Sequence, residues 1–228
     1  MKIQTLLASL LVSGAAMAQT PTMKPIVMKT PNEFYILAAS GNGKWACGTY
    51  SDYSNEQYGF LWNLEIGEIE MLDPSKPSVA WAVSDDGLVV GTFEDTSYKS
   101  NGAAVELAGY WANGKWNRFE MPSDDVTSSG AASISPDGHY VTGNVQESGI
   151  YTGYIWKDGK IVKELPNTNC SMPYAIAPDG QSAAGWIERD NRTACIWEAD
   201  GEVTFLSEYQ SPWSSARKYT HDGKNLLY

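Results

Sequence analysis

The chain has 228 residues, 27 acidic against 16 basic, and a formal net charge of −11 at pH 7. A surface of this sign repels nucleic-acid phosphates and anionic lipid heads, which excludes nucleic-acid binding as a reading. With two histidines, three cysteines and no C-x-x-C pair, there is no donor set at metal-ligand spacing, and neither a metal nor a cofactor is expected.

The first residues read as a signal peptide over 1–18. Lys2 supplies the positive start, Leu6 to Val12 a short apolar core, and Ala16-Met17-Ala18 a small-x-small cleavage site ahead of Gln19. The apolar run is too short for a spanning helix, which needs about 20 residues, and no later segment is apolar enough to cross a membrane. The expected location is secreted or periplasmic. Residues 19–34 read as an N-terminal strand or linker. Export permits a disulfide, with Cys170 and Cys195 the first pair to consider. An odd count leaves at least one thiol free, and Cys47 and Cys195 sit in apolar runs that suit buried thiols.

From residue 35 onward one pattern is written four times and begun a fifth. Each copy opens on an apolar or small run and a turn ending in Gly43, Gly87, Gly138, Gly180 or Gly223, at separations of 44, 51, 42 and 43 residues. Turns such as Ile134-Ser135-Pro136-Asp137-Gly138 combine Pro, Asp and Gly, and so read as tight hairpins. A short second run ends in Gly48, Gly91, Gly143 or Gly185, where glycine inside a strand marks close backbone approach or a bulge. The third line carries Trp62, Trp111, Trp156 or Trp197. A second turn follows, and the copy closes at Leu72, Met121, Leu165 or Leu206. A Trp at one place in every copy is a structural residue, packing between copies.

Four short strands in a meander cannot bury both faces alone, whereas stacked around an axis they bury one another. The expected fold is therefore all-β: a β-propeller of four-stranded blades with four complete copies and an incomplete fifth. The copies span 35–78, 79–130, 131–173 and 174–213, with a partial fifth over 214–228. The lines Gly59-Phe60-Leu61-Trp62, Gly109-Tyr110-Trp111, Gly153-Tyr154-Ile155-Trp156 and Ala194-Cys195-Ile196-Trp197, each behind its turn and Gly-ended strand, resemble the extracellular HAF-type repeat. The His-Ala-Phe line that names that repeat has drifted here. The turns also resemble those of bacterial TolB-like β-propeller repeats. The resemblance covers about residues 35–228; it implies architecture and carries no catalytic residues over.

In a meander, alternate turns share a face. The first and third turns are short and standardised, while the connections between second and third strands and between copies vary, so binding is expected on the second face. That face is expected to carry Tyr53, Tyr58, Tyr98, Tyr151, Tyr209 and Trp213 with Asp124 and Asp125, and also Asp52, Glu94, Asp95, Glu147 and Asp190. Aromatic rings beside carboxylates suit a glycan or a protein partner. No nucleophile elbow, zinc-protease, phosphate-loop or EF-hand motif occurs, and His139 and His221 both sit beside first-turn glycines, so no catalytic residue is assigned. Adjacent acids, Glu94-Asp95 or Asp124-Asp125, keep an extracellular carbohydrate-active enzyme as the alternative. The fifth copy lacks its Trp and closing strand. Either Lys24 to Lys29 supplies a strand to it, or the chain is a piece of a longer propeller; the unpaired edge favours the second.

Overall fold

The structure, a computed structural model, describes residues 33–51, 56–100, 102–166, 170–189, 191–206 and 214–227. The signal-peptide reading, Lys24 to Lys29, Asp52, Tyr53, Asp190, Tyr209 and Trp213 lie outside the described residues. These residues form β-strands and turns with no α-helix. Blade one is β1 (Glu33–Ala39), β2 (Trp45–Ser51), β3 (Gln57–Asn63) and β4 (Ile69–Leu72). Blade two is β5 (Ser78–Val83), β6 (Val89–Ser100), β7 (Ala103–Ala112) and β8 (Lys115–Arg118). Blade three is β9 (Val126–Ile134), β10 (Tyr140–Glu147), β11 (Ile150–Lys157) and β12 (Lys160–Glu164). Blade four is β13 (Ser171–Ile176), β14 (Ala183–Glu188), β15 (Arg192–Trp197) and β16 (Val203–Phe205). A hairpin of β17 (Lys218–Tyr219) and β18 (Leu226–Leu227) follows. Every blade is an antiparallel meander, and each first strand packs over the first three strands of the blade before it.

Four of the five first turns repeat one hydrogen-bond set, and the blade-four turn, with Ala177, keeps its backbone part, Gly180 N–H donating to Ala177 O. In blade three Ser135 Oγ donates to Asp137 Oδ1 at 2.5 Å and accepts the Tyr140 amide at 2.9 Å, while Gly138 N–H donates to Ser135 O at 3.0 Å. Thr220, Asp222 and Gly223 reproduce it in the last hairpin. The Gly-ended second strands have an equally specific cause. Opposite Gly48, Gly91, Gly143 and Gly185 the first strand carries a bulge whose extra residue is Leu37, Trp81, Ala132 or Tyr174. The bulge drives a backbone carbonyl toward the glycine: a Cβ at these four positions would fall 1.9, 1.9, 2.0 and 2.1 Å from the carbonyl oxygens of Tyr35, Val79, Gly130 and Met172. Only glycine leaves that space.

Two further devices join the blades. Ser78, Ser129, Ser171 and Ser214 each accept, through Oγ, the amide of a small residue in the preceding blade's third strand: Gly59, Ala108, Gly153 and Ala194, at 3.0, 2.8, 2.7 and 2.9 Å. Trp156 and Trp197 are fully buried, and their indole N–H groups donate to Glu120 O and Pro166 O, just past the preceding blade's closing strand. Trp62 is buried as well, but its Nε1 has no hydrogen-bond partner among the described residues.

Blade two departs from the pattern. Its small residue is Ala108 and its closing residue Phe119, whose amide donates to Ala108 O; Met121 lies beyond it and is only half-buried. Gly109 takes the place held by Phe60 and Tyr154, and Phe93 fills the vacated space, stacked on Trp116 with centroids 5.5 Å apart. Trp116 therefore holds the core position, and Trp111 is half-buried, donating to Glu70 Oε1 at 2.9 Å.

The cysteines correct the disulfide expectation: Cys47, Cys170 and Cys195 are all free thiols. Cys195 points into the blade-four core, where burial pushes its pKa up to about 12, while Cys170 pairs by a backbone bridge with Tyr151 in the preceding blade. Burial likewise pushes Cys47 up to about 12.

Candidate functional site

The bulges divide the described blades into two ends. On the first-turn end, residues of all five copies line one cavity of about 260 Å³, among them Ala39, Val83, Ile134, Ile176 and Tyr219. The turns above it touch from copy to copy. Asn42 N–H donates to Asp85 Oδ1 at 2.9 Å, Asp85 N–H donates to Pro136 O at 2.9 Å, and His221 Nε2 lies 3.7 Å from Asp85 Oδ2. Third turns sit at this end too, since Leu64 N–H donates to Lys44 O and Asp158 N–H to His139 O. This end is standardised and mutually satisfied.

The opposite end differs from the expectation of variable loops. Residues 94–100 and 103–108 belong to the long paired strands β6 and β7, residues 146–152 turn tightly at Ser148-Gly149, and residues 187–188 and 192–193 continue β14 and β15. Alternating side chains of β6 and β7 keep pairing past the blade body, which extends the strands in place of a loop. Of the tyrosines expected on this face, Tyr58, Tyr98 and Tyr151 are consequently built into strands. Tyr98 packs against the core, its Oη accepts the Val126 amide at 3.1 Å, and the Arg118 guanidinium lies 5.1 Å from its ring centroid. Tyr58 stands 5.5 Å from Tyr50, ring to ring, and Tyr151 bridges to Cys170. Of the expected residues, Tyr98 and Asp124 come together, lining a groove of about 490 Å³ with Arg118, Met121 and Lys160. Asp125 lies beside them in sequence, and its amide donates to Ser123 Oγ, which itself donates to Glu147.

The paired acids show different fates. Asp95 is held by Arg118 at 3.0 Å; burial pushes its pKa up, but the Ser97 hydroxyl and amide together with Arg118 outweigh that and hold it low. A carboxylate so fixed is a poor general acid. Among the described residues no group of three or more His, Cys, Asp or Glu is placed to hold a metal ion. No helix among them is long and apolar enough to cross a membrane.

A further feature of this end was not singled out by sequence reasoning. Four copies enclose an axial cleft of about 500 Å³, lined by Trp81, Glu106, Asn144, Met172, Tyr174 and Arg217 around the small-residue stretch 128–132 of β9. Trp81 Nε1 donates to Thr92 Oγ1, Trp186 Nε1 donates to Tyr174 Oη, and the Arg217 guanidinium sits 4.5 Å from the Tyr174 ring centroid. Trp81, Ala132 and Tyr174 are bulge residues, and with Leu37 and Arg217 they fall six positions before a turn glycine. The available signal was therefore a position whose residue type varies freely inside an otherwise fixed pattern.

No family model and no curated relative matches this chain. Solved structures do. TolB from Acinetobacter baumannii is 16% identical with a TM-score of 0.57, covering 86% of this chain and 48% of its own length. A TolB-type protein from Agrobacterium tumefaciens is 15% identical with a TM-score of 0.52, covering 74% of this chain and 63% of its own. A prolyl endopeptidase is 11% identical with a TM-score of 0.51, covering 82% of this chain and 31% of its own. The chain thus spans about half the length of the first of these and less than two thirds of the others. At such identities the likeness is one of fold: an all-β chain whose structural neighbours are TolB-like β-propellers.

Proposed function

We propose that this is an exported, non-catalytic β-propeller repeat domain that binds a partner, a protein or a glycan, on its hairpin face. The observation that carries the reading is the axial cleft, where Trp81, Tyr174 and Met172 give apolar area and Arg217, Glu106 and Asn144 give orienting polar groups. Tyr58, Tyr98, Tyr151, Asp124 and Asp125, together with Tyr53, Tyr209 and Trp213, form the surrounding contact residues in this reading. Export rests on the composition of the first eighteen residues.

The test is a screen of the full chain against a glycan array and against secreted and envelope proteins, repeated with Tyr174→Ala, Arg217→Ala and Asp124→Asn. The expected outcome is a captured ligand whose binding weakens about ten-fold or more in at least one of these variants, as for central interface anchors. A ligand whose binding ignores all three places the site elsewhere.

A further inference from the structure

Trp81 forms the wall between two cavities. One is the axial cleft; the other, of about 270 Å³, opens toward blade one and is bordered by Glu56, Gln57, Phe93 and Glu106. Glu106 and Thr92 border both. The Trp81 side chain is 44% exposed although its orientation is fixed by the 3.2 Å bond from Nε1 to Thr92 Oγ1. An exposed indole held in place by its N–H is pre-ordered for a ligand, because little rotamer freedom remains to be lost on binding.

The register of β6 and β7 puts Glu94 directly opposite Glu106 and Thr92 opposite Ala108. Opposed residues of an antiparallel pair share a face, as do residues two apart along a strand. Thr92, Glu94 and Glu106 therefore occupy one face of blade two, the face to which Trp81 is bonded. Like charges set directly opposite each other are destabilising. Nearby acids of the same region are matched, Asp95 by Arg118 and Glu70 by the Trp111 indole. Neither Glu94 nor Glu106 has a side-chain hydrogen bond or ion pair among the described residues. Glu56 brings a further carboxylate to the cavity from blade one.

We propose that this pocket takes an organic cation, the lysine or arginine side chain of a protein partner, with the Trp81 ring and the Glu106 carboxylate of its lining receiving the charge, and with Glu94, set opposite Glu106 on the same face, and Glu56 on the blade-one wall adding to the negative field. An aromatic face and carboxylates are the two groups that stabilise a desolvated ammonium or guanidinium. A sugar ring needs several uncharged donors and acceptors around its rim, whereas here Gln57 supplies the one amide and the Ser78 and Thr92 hydroxyls already accept bonds from the Gly59 amide and Trp81 Nε1. The net charge of −11 also draws a basic partner at long range. The proposal rests on the hairpin-face reading and narrows its partner to a basic protein surface.

The experiment titrates the full chain with butylguanidinium chloride, following the Trp81 indole N–H by NMR after its resonance is identified from Trp81→Phe. Sodium butyrate and methyl glucoside serve as the anionic and sugar arms. The expected result is a saturable shift with butylguanidinium alone, with Kd raised about three-fold in each of Glu94→Gln and Glu106→Gln, as for an exposed ion pair, and raised again by salt. The Thr92 amide resonance reports the same titration in Trp81→Leu, where binding is expected to be lost. An equal response to glucoside or butyrate, or a guanidinium response untouched by both Glu→Gln changes, overturns the proposal. If butylguanidinium binds as expected while partner capture ignores Tyr174→Ala and Arg217→Ala, the cation pocket stands and the axial cleft is not the partner site; the converse pattern removes the pocket alone.

Discussion

Gly143 shows how single residues hold this frame. A methyl group there would meet Gly130 O at 2.0 Å, and that oxygen belongs to backbone pinned by the bulge at Ala132. Gly143→Ala is expected to cost about 2–4 kcal/mol in urea unfolding, at the severe end for one added methyl. Gly159→Ala tests a different cause, since the nearest atom to its Cβ lies at 3.8 Å and its penalty comes from a φ of +85° alone. The indoles make a second comparison. Trp156 Nε1 donates to Glu120 O at 2.8 Å, whereas Trp62 Nε1 is buried with no partner among the described residues. Trp156→Phe leaves a buried carbonyl with one bond fewer, while Trp62→Phe removes an unsatisfied donor. Thermal unfolding is therefore expected to show Trp156→Phe less stable than Trp62→Phe by about 1–2 kcal/mol. Equal losses would mean that the indole bonds between blades do not contribute.

At the scale of elements, the turns and the period were legible because they rest on local chemistry. Ser, Asp and Gly at fixed offsets specify a hairpin whatever lies around it, as the matching bonds of Ser135 and Thr220 show. Blade two was less legible. Trp111 reads as the core Trp from spacing, yet the exchange of Gly109, Phe93 and Trp116 is a three-residue packing trade visible only once the strands are paired. The hairpins of the opposite end were misread as loops because polar residues such as Glu94 and Glu106 look like loop residues until the β6–β7 register is known. The serines that clamp one blade to the next went unnoticed because their distance from the bonded amide drifts with loop length. The turns also carry a pH dependence. Burial pushes the Asp137 pKa up, but bonds from the Ser135 hydroxyl and the His139 amide outweigh it and hold it below the ordinary 3.8. A depressed carboxylate gives stability that is fully present above the unfolded value and lost as pH falls through the folded one. The stability gap between the wild-type chain and Asp137→Asn is thus expected to be constant above about pH 5 and to shrink below about pH 4, read by urea midpoints. A gap that grows on acidification contradicts this account of the turn.

For the whole molecule, the two ends of the blades divide the labour. The first-turn end spends its polar groups on itself, through Asn42, Asp85, Pro136 and His221. The hairpin end leaves its bulge residues, Trp81 and Tyr174, and Glu106 facing cavities, with Glu94 set opposite Glu106 in the strand pair. The sequence pattern points to this end through its variable connections but not to positions 81 and 174, because the bulge that presents them is a property of paired strands. The central claim, that the hairpin end binds, is tested most directly by measuring the affinity of the full chain for its captured ligand in two double variants. Tyr174→Ala with Arg217→Ala alters the axial cleft, and Lys44→Ala with Lys224→Ala alters exposed ion pairs of the first-turn end. The account predicts a loss of about ten-fold or more in the first and unchanged affinity in the second; unchanged affinity in the first, or a loss confined to the second, contradicts it.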